Sequence, residues 1–311
     1  MNNKKVTIHL AAPRGFCAGV VRAIDMVELA LKKYGAPVYI KHQIVHNPHV
    51  VEDLESKGAI TVETVEEIPE GSHVVFSAHG SPPEDFDKAR ERNLNVIDAV
   101  CPLVTKVHNE AKKYASLGKK IILVGHEGHQ EVKGTMGQTP MTLVNDKDLE
   151  SIPDWDTNSD IAVLTQTTLS VNDTQNITDK IASEYSNSTI RNDICYATTN
   201  RQNAVKDMAQ KVNAILVIGA QNSSNCNRLK ELSINLGVPA MLVNTVNEIP
   251  DEFIADKGVI GITSGASTPE SLVQDIIAFL KPSKISSVSY THLRAHETRH
   301  DLVCRHLLEK K

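Results

Sequence analysis

Several things are missing from this chain, and each absence removes a class of function. No apolar run in the 311 residues approaches the roughly 20 that a membrane-spanning helix needs. A formal charge of −5, with no block of lysine and arginine, argues against a nucleic-acid surface. The opening Met1-Asn2-Asn3-Lys4-Lys5 leads into only a short apolar strand, so no secretory signal is visible. No Gly-x-Gly-x-x-Gly follows a strand, so the flavin and nicotinamide fingerprint is missing too. Cysteine is scarce. Five in a chain of this size fit a reducing cytosol, where they more often bind metal or react than form disulfides. Triplets such as Asn172-Asp173-Thr174 then carry no glycosylation meaning. What is left is an ordinary globular composition, 41% hydrophobic and 23% charged, and the expected compartment is the cytoplasm.

Three of the five cysteines carry a pattern. Cys17, Cys101 and Cys195 each sit where an apolar run gives way to a helix-like segment. The runs are Val6–Leu10, Leu94–Asp98 and Thr189–Ile194; the segments begin Ala18-Gly19-Val20, Pro102-Leu103-Val104 and Tyr196-Ala197-Thr198. A helix N-terminus favours a thiolate through its dipole and free N–H groups, which predicts lowered thiol pKa values. Three such positions, one per repeat, can converge on one metal. Zinc in a structural site usually takes four ligands. Three cysteines with an open position also suit a [4Fe–4S] cluster. Cys226 has no counterpart in the other repeats and is read as non-ligating.

The repeat extends to the elements between the cysteines. Cys17 and Cys101 are 84 positions apart, Cys101 and Cys195 94. In the first unit a helix over Val20–Tyr34 precedes the strand Pro37–Ile40, and a helix over Pro48–Lys57 precedes Ala59–Val62. Val74–Phe76 then enters Ser77-Ala78-His79-Gly80, with a helix after Pro82-Pro83. The second unit matches with strands at Ile121–Val124, Met141–Val144 and Ile161–Leu164, the third with Ile215–Ile218, Ala240–Val243 and Val259–Ile262. Short apolar strands alternating with helices predict parallel α/β units. The expected units are 1–100, 101–194 and 195–282. The third lacks a closing strand of its own, which Val6–Leu10 can supply by bringing the N-terminus back to the end of the ring.

The last stretch is set apart. From Val288 the chain reads Val288-Ser289-Tyr290-Thr291-His292-Leu293-Arg294-Ala295-His296-Glu297-Thr298. This resembles the in-frame translation of a sequencing-library adapter joined to a truncated gene. Residues 283–311 are therefore read as a non-native tail, adapter-like from about 288. Its His292, His296 and His300 imitate a metal site at helical spacing, and they are discarded together with Cys304.

In parallel sheets, ligands bind beyond the carboxyl ends of the strands, where all three cysteines lie. The loops there are rich in neutral hydrogen-bonding groups: Val45-His46-Asn47, Ser77-Ala78-His79-Gly80, Gly125–Glu131, Thr165-Gln166-Thr167-Thr168, Gln221–Asn225 and Thr263–Ser267. Any one of them reads equally as helix capping. Capping alone does not call for His46, His79 and His129 as well, and the set points to an anionic ligand such as a phosphate. Glu131 is a candidate proton donor; its other reading is an exposed carboxylate at a helix start.

At these residues the chain resembles the 4-hydroxy-3-methylbut-2-enyl diphosphate reductases, last enzymes of the non-mevalonate isoprenoid pathway, over about residues 5–282. The resemblance rests on Pro13-Arg14-Gly15-Phe16-Cys17-Ala18-Gly19-Val20, on Asp98–His108, on Thr165-Gln166-Thr167-Thr168-Leu169-Ser170, on Asp193–Gln202 and on Asn222-Ser223-Ser224-Asn225. It implies an α/β fold of three pseudo-symmetric domains with mainly parallel sheets, arranged as a trefoil around a central iron–sulfur site. It implies one [4Fe–4S] cluster held by Cys17, Cys101 and Cys195, its unique iron binding the substrate hydroxyl. Substrate contacts would fall to His46, His79, His129, Thr167, Thr168, Ser223, Ser224, Asn225 and Ser267. Glu131, Thr167 and His129 would serve the chemistry, with Glu131 the proton source and Thr167 organising the proton path. Two electrons would remove the hydroxyl as water, and protonation of the allylic anion would give isopentenyl or dimethylallyl diphosphate. With no nucleotide fingerprint of its own, the protein would take electrons from a separate ferredoxin or flavodoxin-type carrier. Two rivals stay open on the residues alone: an iron–sulfur dehydratase with no net redox change, and a non-catalytic metal-binding sensor or scaffold.

Overall fold

The computed structural model describes residues 6–255 and 257–289. The discarded His292, His296, His300 and Cys304 lie outside the described residues. Three parallel sheets carry the chain. The first joins β2 (Val38–Lys41), β3 (Ala59–Val62), β4 (His73–Phe76) and β5 (Asn95–Asp98) in the order β3-β2-β4-β5. The second repeats that order with β6 (Lys120–Val124), β7 (Thr142–Val144), β8 (Ile161–Thr165) and β9 (Ser188–Ile190), as β7-β6-β8-β9.

In the third sheet, β10 (Ala214–Ile218), β11 (Ala240–Val243) and β12 (Val259–Ser264) are joined by β1 (Thr7–Ala12), as β11-β10-β12-β1. β1 occupies the place that β5 and β9 hold in the other sheets. It pairs in parallel with β12 from Thr7↔Val259 to Leu10↔Ile262. The N-terminal strand thus closes the ring. One expectation needs correcting: a strand does follow the last helix. β13 (Lys284–Ser289) pairs with the other side of β1, from Thr7↔Lys284 to Ala12↔Ser289, and so reaches into the stretch set apart as tail. Its backbone covers an edge that β1 would otherwise leave unpaired.

The strands form because their apolar runs are buried on both faces, as parallel sheets require. All five residues of β8 and of β10 are buried. Helices cover both sides. In α1 (Ala18–Tyr34) the buried positions Val20, Ala23, Met26, Val27 and Ala30 form one stripe at helical spacing. That stripe packs with Val38, Ile40 and Val75 of the first sheet. Val62, Val74 and Phe76 pack on the opposite face. Gly35, at φ 79°, ends α1 in a conformation that favours glycine, its N–H bonding the Leu31 carbonyl at 2.9 Å. The two other sheets carry equivalent paired clusters. The loops at the carboxyl ends of the strands are what this arrangement leaves free to meet.

Candidate active site

Each of the three cysteines is the N-cap of a helix: Cys17 of α1, Cys101 of α4 (Pro102–Ser116) and Cys195 of α7 (Tyr196–Ala209). All three have extended backbone there, as N-caps do. Each also makes the same long-range hydrogen bond. The Cys17 N–H donates to the Ala266 carbonyl (3.0 Å), Cys101 to Ala78 (3.0 Å) and Cys195 to Thr167 (2.9 Å). Those carbonyls belong to the loops leaving β12, β4 and β8, which are equivalent strands of the three sheets. Every cysteine is therefore tied to a loop that carries candidate binding groups.

The sulfurs share one cavity. A Cβ at Gly19, one residue into the first turn of α1, would lie 2.8 Å from Cys101 Sγ and 3.9 Å from Cys17 Sγ. Only a residue without a side chain admits that approach. Burial, followed by the neighbouring Cys17 thiol, pushes Cys195 up to about 12. Burial likewise raises Cys101 to about 11, against opposing backbone N–H bonds at Leu103 and Val104. The helix termini were expected to lower these values, and here burial outweighs them. Three half-buried soft donors without a basic partner suit a thiophilic metal centre, whose cationic charge would favour their thiolates. Cys226 is fully buried against the backbone of Gly219 and Gly265 and does not line the cavity, as its lack of a counterpart suggested.

The same cavity, about 730 Å³ with its open mouth included, is lined by every other candidate: His46, His79, His129, Glu131, Thr167, Thr168, Ser223, Ser224, Asn225 and Ser267. The histidines form a tight group. His46 and His79 have ring centroids 4.0 Å apart, and His129 stands edge-on to His46 at 5.3 Å. Burial first, then the neighbouring imidazoles, lowers His46 to about 4 and His129 to about 3, and holds His79 well below its usual range. Neither ring nitrogen of His46 has a partner, nor does His129 Nε2. The His129 Nδ1 accepts the Glu131 N–H at 3.2 Å, which places the ring hydrogen on that free Nε2. Opposite them, Ser223 caps α8 (Ser224–Asn235), and Ser224 and Asn225 form its first turn. A helix N-terminus and imidazoles lining one cavity are groups suited to an anion.

Glu131 sits in the first turn of α5 (Gln130–Met136), and it is not an exposed helix-start carboxylate: it is 4% exposed. Its Oε1 accepts the Thr167 backbone N–H at 2.7 Å, and its Oε2 the Thr167 hydroxyl at 2.9 Å. Burial nevertheless dominates and raises its pKa to about 7. An acid poised there can hold a proton near neutrality and release it.

Several neighbours were missed by reading the sequence. Thr198 receives the Cys195 thiol on its hydroxyl (3.1 Å) and donates its N–H to that sulfur (3.3 Å). Its position three residues after an N-cap was the available signal. Arg201, 1% exposed, donates to the carbonyls of Gly15 (2.7 Å) and Ala197 (2.8 Å), so it pins the Cys17 loop to the start of α7. Gln166 donates to Thr168 Oγ1 at 3.0 Å and accepts the His126 N–H at 3.1 Å, fixing two loops together.

Comparison with known proteins gives the family of the chain. The family model described as LytB protein matches residues 8–281. A 4-hydroxy-3-methylbut-2-enyl diphosphate reductase 2 of Bradyrhizobium diazoefficiens is 48% identical over 279 residues, covering 88% of this chain and 90% of its own. The corresponding reductase of Actinobacillus succinogenes is 46% identical over 289 residues, covering 90% and 92%. Among solved structures, the E-1-hydroxy-2-methyl-but-2-enyl-4-diphosphate reductase of Plasmodium falciparum superposes with a TM-score of 0.89 at 35% identity, over 94% of each chain. These matches, with the site they accompany, place the chain in the LytB family of 4-hydroxy-3-methylbut-2-enyl diphosphate reductases.

Proposed function

We propose that this cavity performs the reductive dehydroxylation of (E)-4-hydroxy-3-methylbut-2-enyl diphosphate, the last step of the non-mevalonate isoprenoid pathway. Substrate, two electrons and two protons give water and either isopentenyl or dimethylallyl diphosphate. The observation that carries the reading is that one buried acid with a pKa raised to about 7 lines the same cavity as three thiols and a group of imidazoles. A [4Fe–4S] cluster on Cys17, Cys101 and Cys195 would supply the electrons and a Lewis-acidic iron at that spot.

The chain's own groups do the rest. His46, His79, His129, Ser223, Ser224, Asn225 and Ser267 hold the diphosphate, and its negative charge draws protons onto the imidazoles that burial otherwise keeps neutral. With that end fixed, the short carbon skeleton is confined beside the thiols. Thr167 contacts the substrate hydroxyl, with Thr168 beside it; Thr168 Oγ1 in turn donates to Ser224 Oγ at 3.0 Å. Protonated, Glu131 gives its hydrogen to Thr167 Oγ1 along the contact through which the hydroxyl now donates to Oε2, and the Thr167 hydroxyl passes its own hydrogen on to the substrate. Residues 1–100, 101–194 and 195–282 act as three units that each bring one cysteine and one set of loops. Electrons come from a separate ferredoxin or flavodoxin-type carrier, in the cytoplasm. Among the described residues no helix is long and apolar enough to cross a membrane.

Dependence on a reductant tests the reading against its nearest rival. Anaerobic protein with iron and sulfide restored should consume the substrate only when a low-potential electron donor is present. Turnover without any donor would favour a dehydratase. Zinc bound without sulfide would remove the cluster from the account.

A further inference from the structure

His42 stands beside the imidazole group but does not line the cavity. Its ring centroid lies 5.7 Å from that of His46 and 5.8 Å from that of His79, edge-on to both. One nitrogen of each of these three rings falls within 4.8 Å of the others. Three further observations single His42 out. Its backbone has φ 60°, which is costly for a residue with a side chain and is kept only where the surroundings demand it. Its Nδ1 meets the Glu63 carboxylate at 2.8 Å. Its Nε2 is buried with no partner.

A carboxylate can only accept, so Nδ1 carries the hydrogen and the neutral ring leaves a lone pair on Nε2. That lone pair is the one basic atom of His42 left to serve its neighbours. His46 has both ring nitrogens unpartnered; His79 has one nitrogen 3.3 Å from the Ser77 hydroxyl. An imidazole that binds an anion as a cation has two N–H groups, one for the anion and one that needs an acceptor inside the protein. The titratable groups facing His42 are Glu63, His46, His79 and His129. The adjacent Lys41 ammonium is already taken by Asp85.

We propose that Glu63 and His42 form a positioning relay behind the diphosphate site, in which His42 Nε2 accepts the inward N–H of His46 or His79 when that ring takes up a second proton. The proton comes from solvent with the anion, and the relay holds the resulting imidazolium by a chain running from the diphosphate through the ring and His42 to Glu63. Nothing is oxidised or broken. The relay rests on the reading of the cavity as a diphosphate site. It explains how rings so strongly disfavoured as cations can become cations at neutral pH.

Glu63→Gln is the sharpest variant, because that side chain is 68% exposed and its loss leaves the core untouched. Two measurements read it. In anaerobic steady-state kinetics of the cluster-loaded enzyme, KM should rise about tenfold, the worth of one charge-assisted hydrogen bond. The kcat should stay within about twofold, since the interaction serves bound substrate and transition state alike. In calorimetric titration with inorganic diphosphate in two buffers of different ionisation enthalpy, proton uptake on binding should fall by half or more. Glu63→Asp should recover part of both. Unchanged KM and unchanged proton uptake in Glu63→Gln would overturn the relay, as would a loss of kcat with uptake intact. Wild-type protein that takes up protons with diphosphate, loses them in Glu63→Gln, yet makes no isoprenoid diphosphate would sink the functional reading and leave the relay standing.

Discussion

Glu131 and Thr167 are joined at two points: one carboxylate oxygen accepts the threonine's backbone N–H at 2.7 Å, the other its hydroxyl at 2.9 Å. The same threonine's carbonyl accepts the Cys195 N–H at 2.9 Å. A single residue therefore connects the acid to a cysteine, and the acid cannot turn away without releasing Thr167. Glu131→Gln keeps the size and a carbonyl acceptor but has no proton to give. Its kcat should drop by about 10²–10⁴-fold, the usual span for a general acid. Iron and sulfide content should match wild type. Full activity in this variant would remove Glu131 from the proton path.

The pH profile offers an independent check. Burial raises Glu131 to about 7, so the carboxyl is protonated below that value and loses its proton as pH rises through it. The neutral acid is the form the fold favours: its contribution to stability is complete below about pH 4.5 and is lost as pH rises through about 7. The kcat should accordingly fall on the alkaline side with a limb near 7. That limb should be missing from the residual rate of Glu131→Gln. A profile flat to pH 9 would contradict the assignment.

Cysteine substitutions should divide cleanly. Cys195→Ser should lose bound iron and sulfide after anaerobic reconstitution, because it removes one of the three ligands proposed for the cluster. Cys226→Ser should keep both, since that sulfur packs against Gly219 and Gly265 outside the cavity. Its stability should stay within about 1 kcal/mol of wild type, because Ser223, Thr268 and the Gly265 backbone stand within bonding reach of the new hydroxyl. Denaturant midpoints together with metal analysis separate the two effects.

Gly19→Ala tests the geometry of the thiols without removing any of them. The added methyl would lie 2.8 Å from Cys101 Sγ, too close for either atom to stay in place. Reconstituted iron should fall well below wild type while helical content stays unchanged, since alanine favours a helix. Normal iron loading would mean that the sulfurs stand elsewhere in the working protein.

Much of the fold could be read from the sequence because parallel strands buried on both faces appear as unbroken apolar runs. The run at Val6–Leu10 read as a strand for the same reason, and the third unit's want of a closing strand pointed to its sheet, where it pairs with β12. The strand Lys284–Ser289 could not be read that way: its core-poor pattern gives no such run, and it is set by pairing with β1. The candidate loops were legible through their positions after strand ends, the family resemblance singled out most of the side chains within them, and the fold gathers those in one cavity. Their electrostatics were not. Helix position argued for acidic thiols, whereas burial, which depends on the other two units, drives Cys101 and Cys195 the opposite way. Glu63 and His42 are 21 residues apart, and only the pairing of β2 with β3 makes them neighbours.

The most direct test is product analysis of anaerobic, cluster-loaded protein given (E)-4-hydroxy-3-methylbut-2-enyl diphosphate and a low-potential reductant. Isopentenyl and dimethylallyl diphosphate together should account for the substrate consumed, with two electrons used per molecule. A fully loaded protein that binds the substrate and forms neither product would contradict the account.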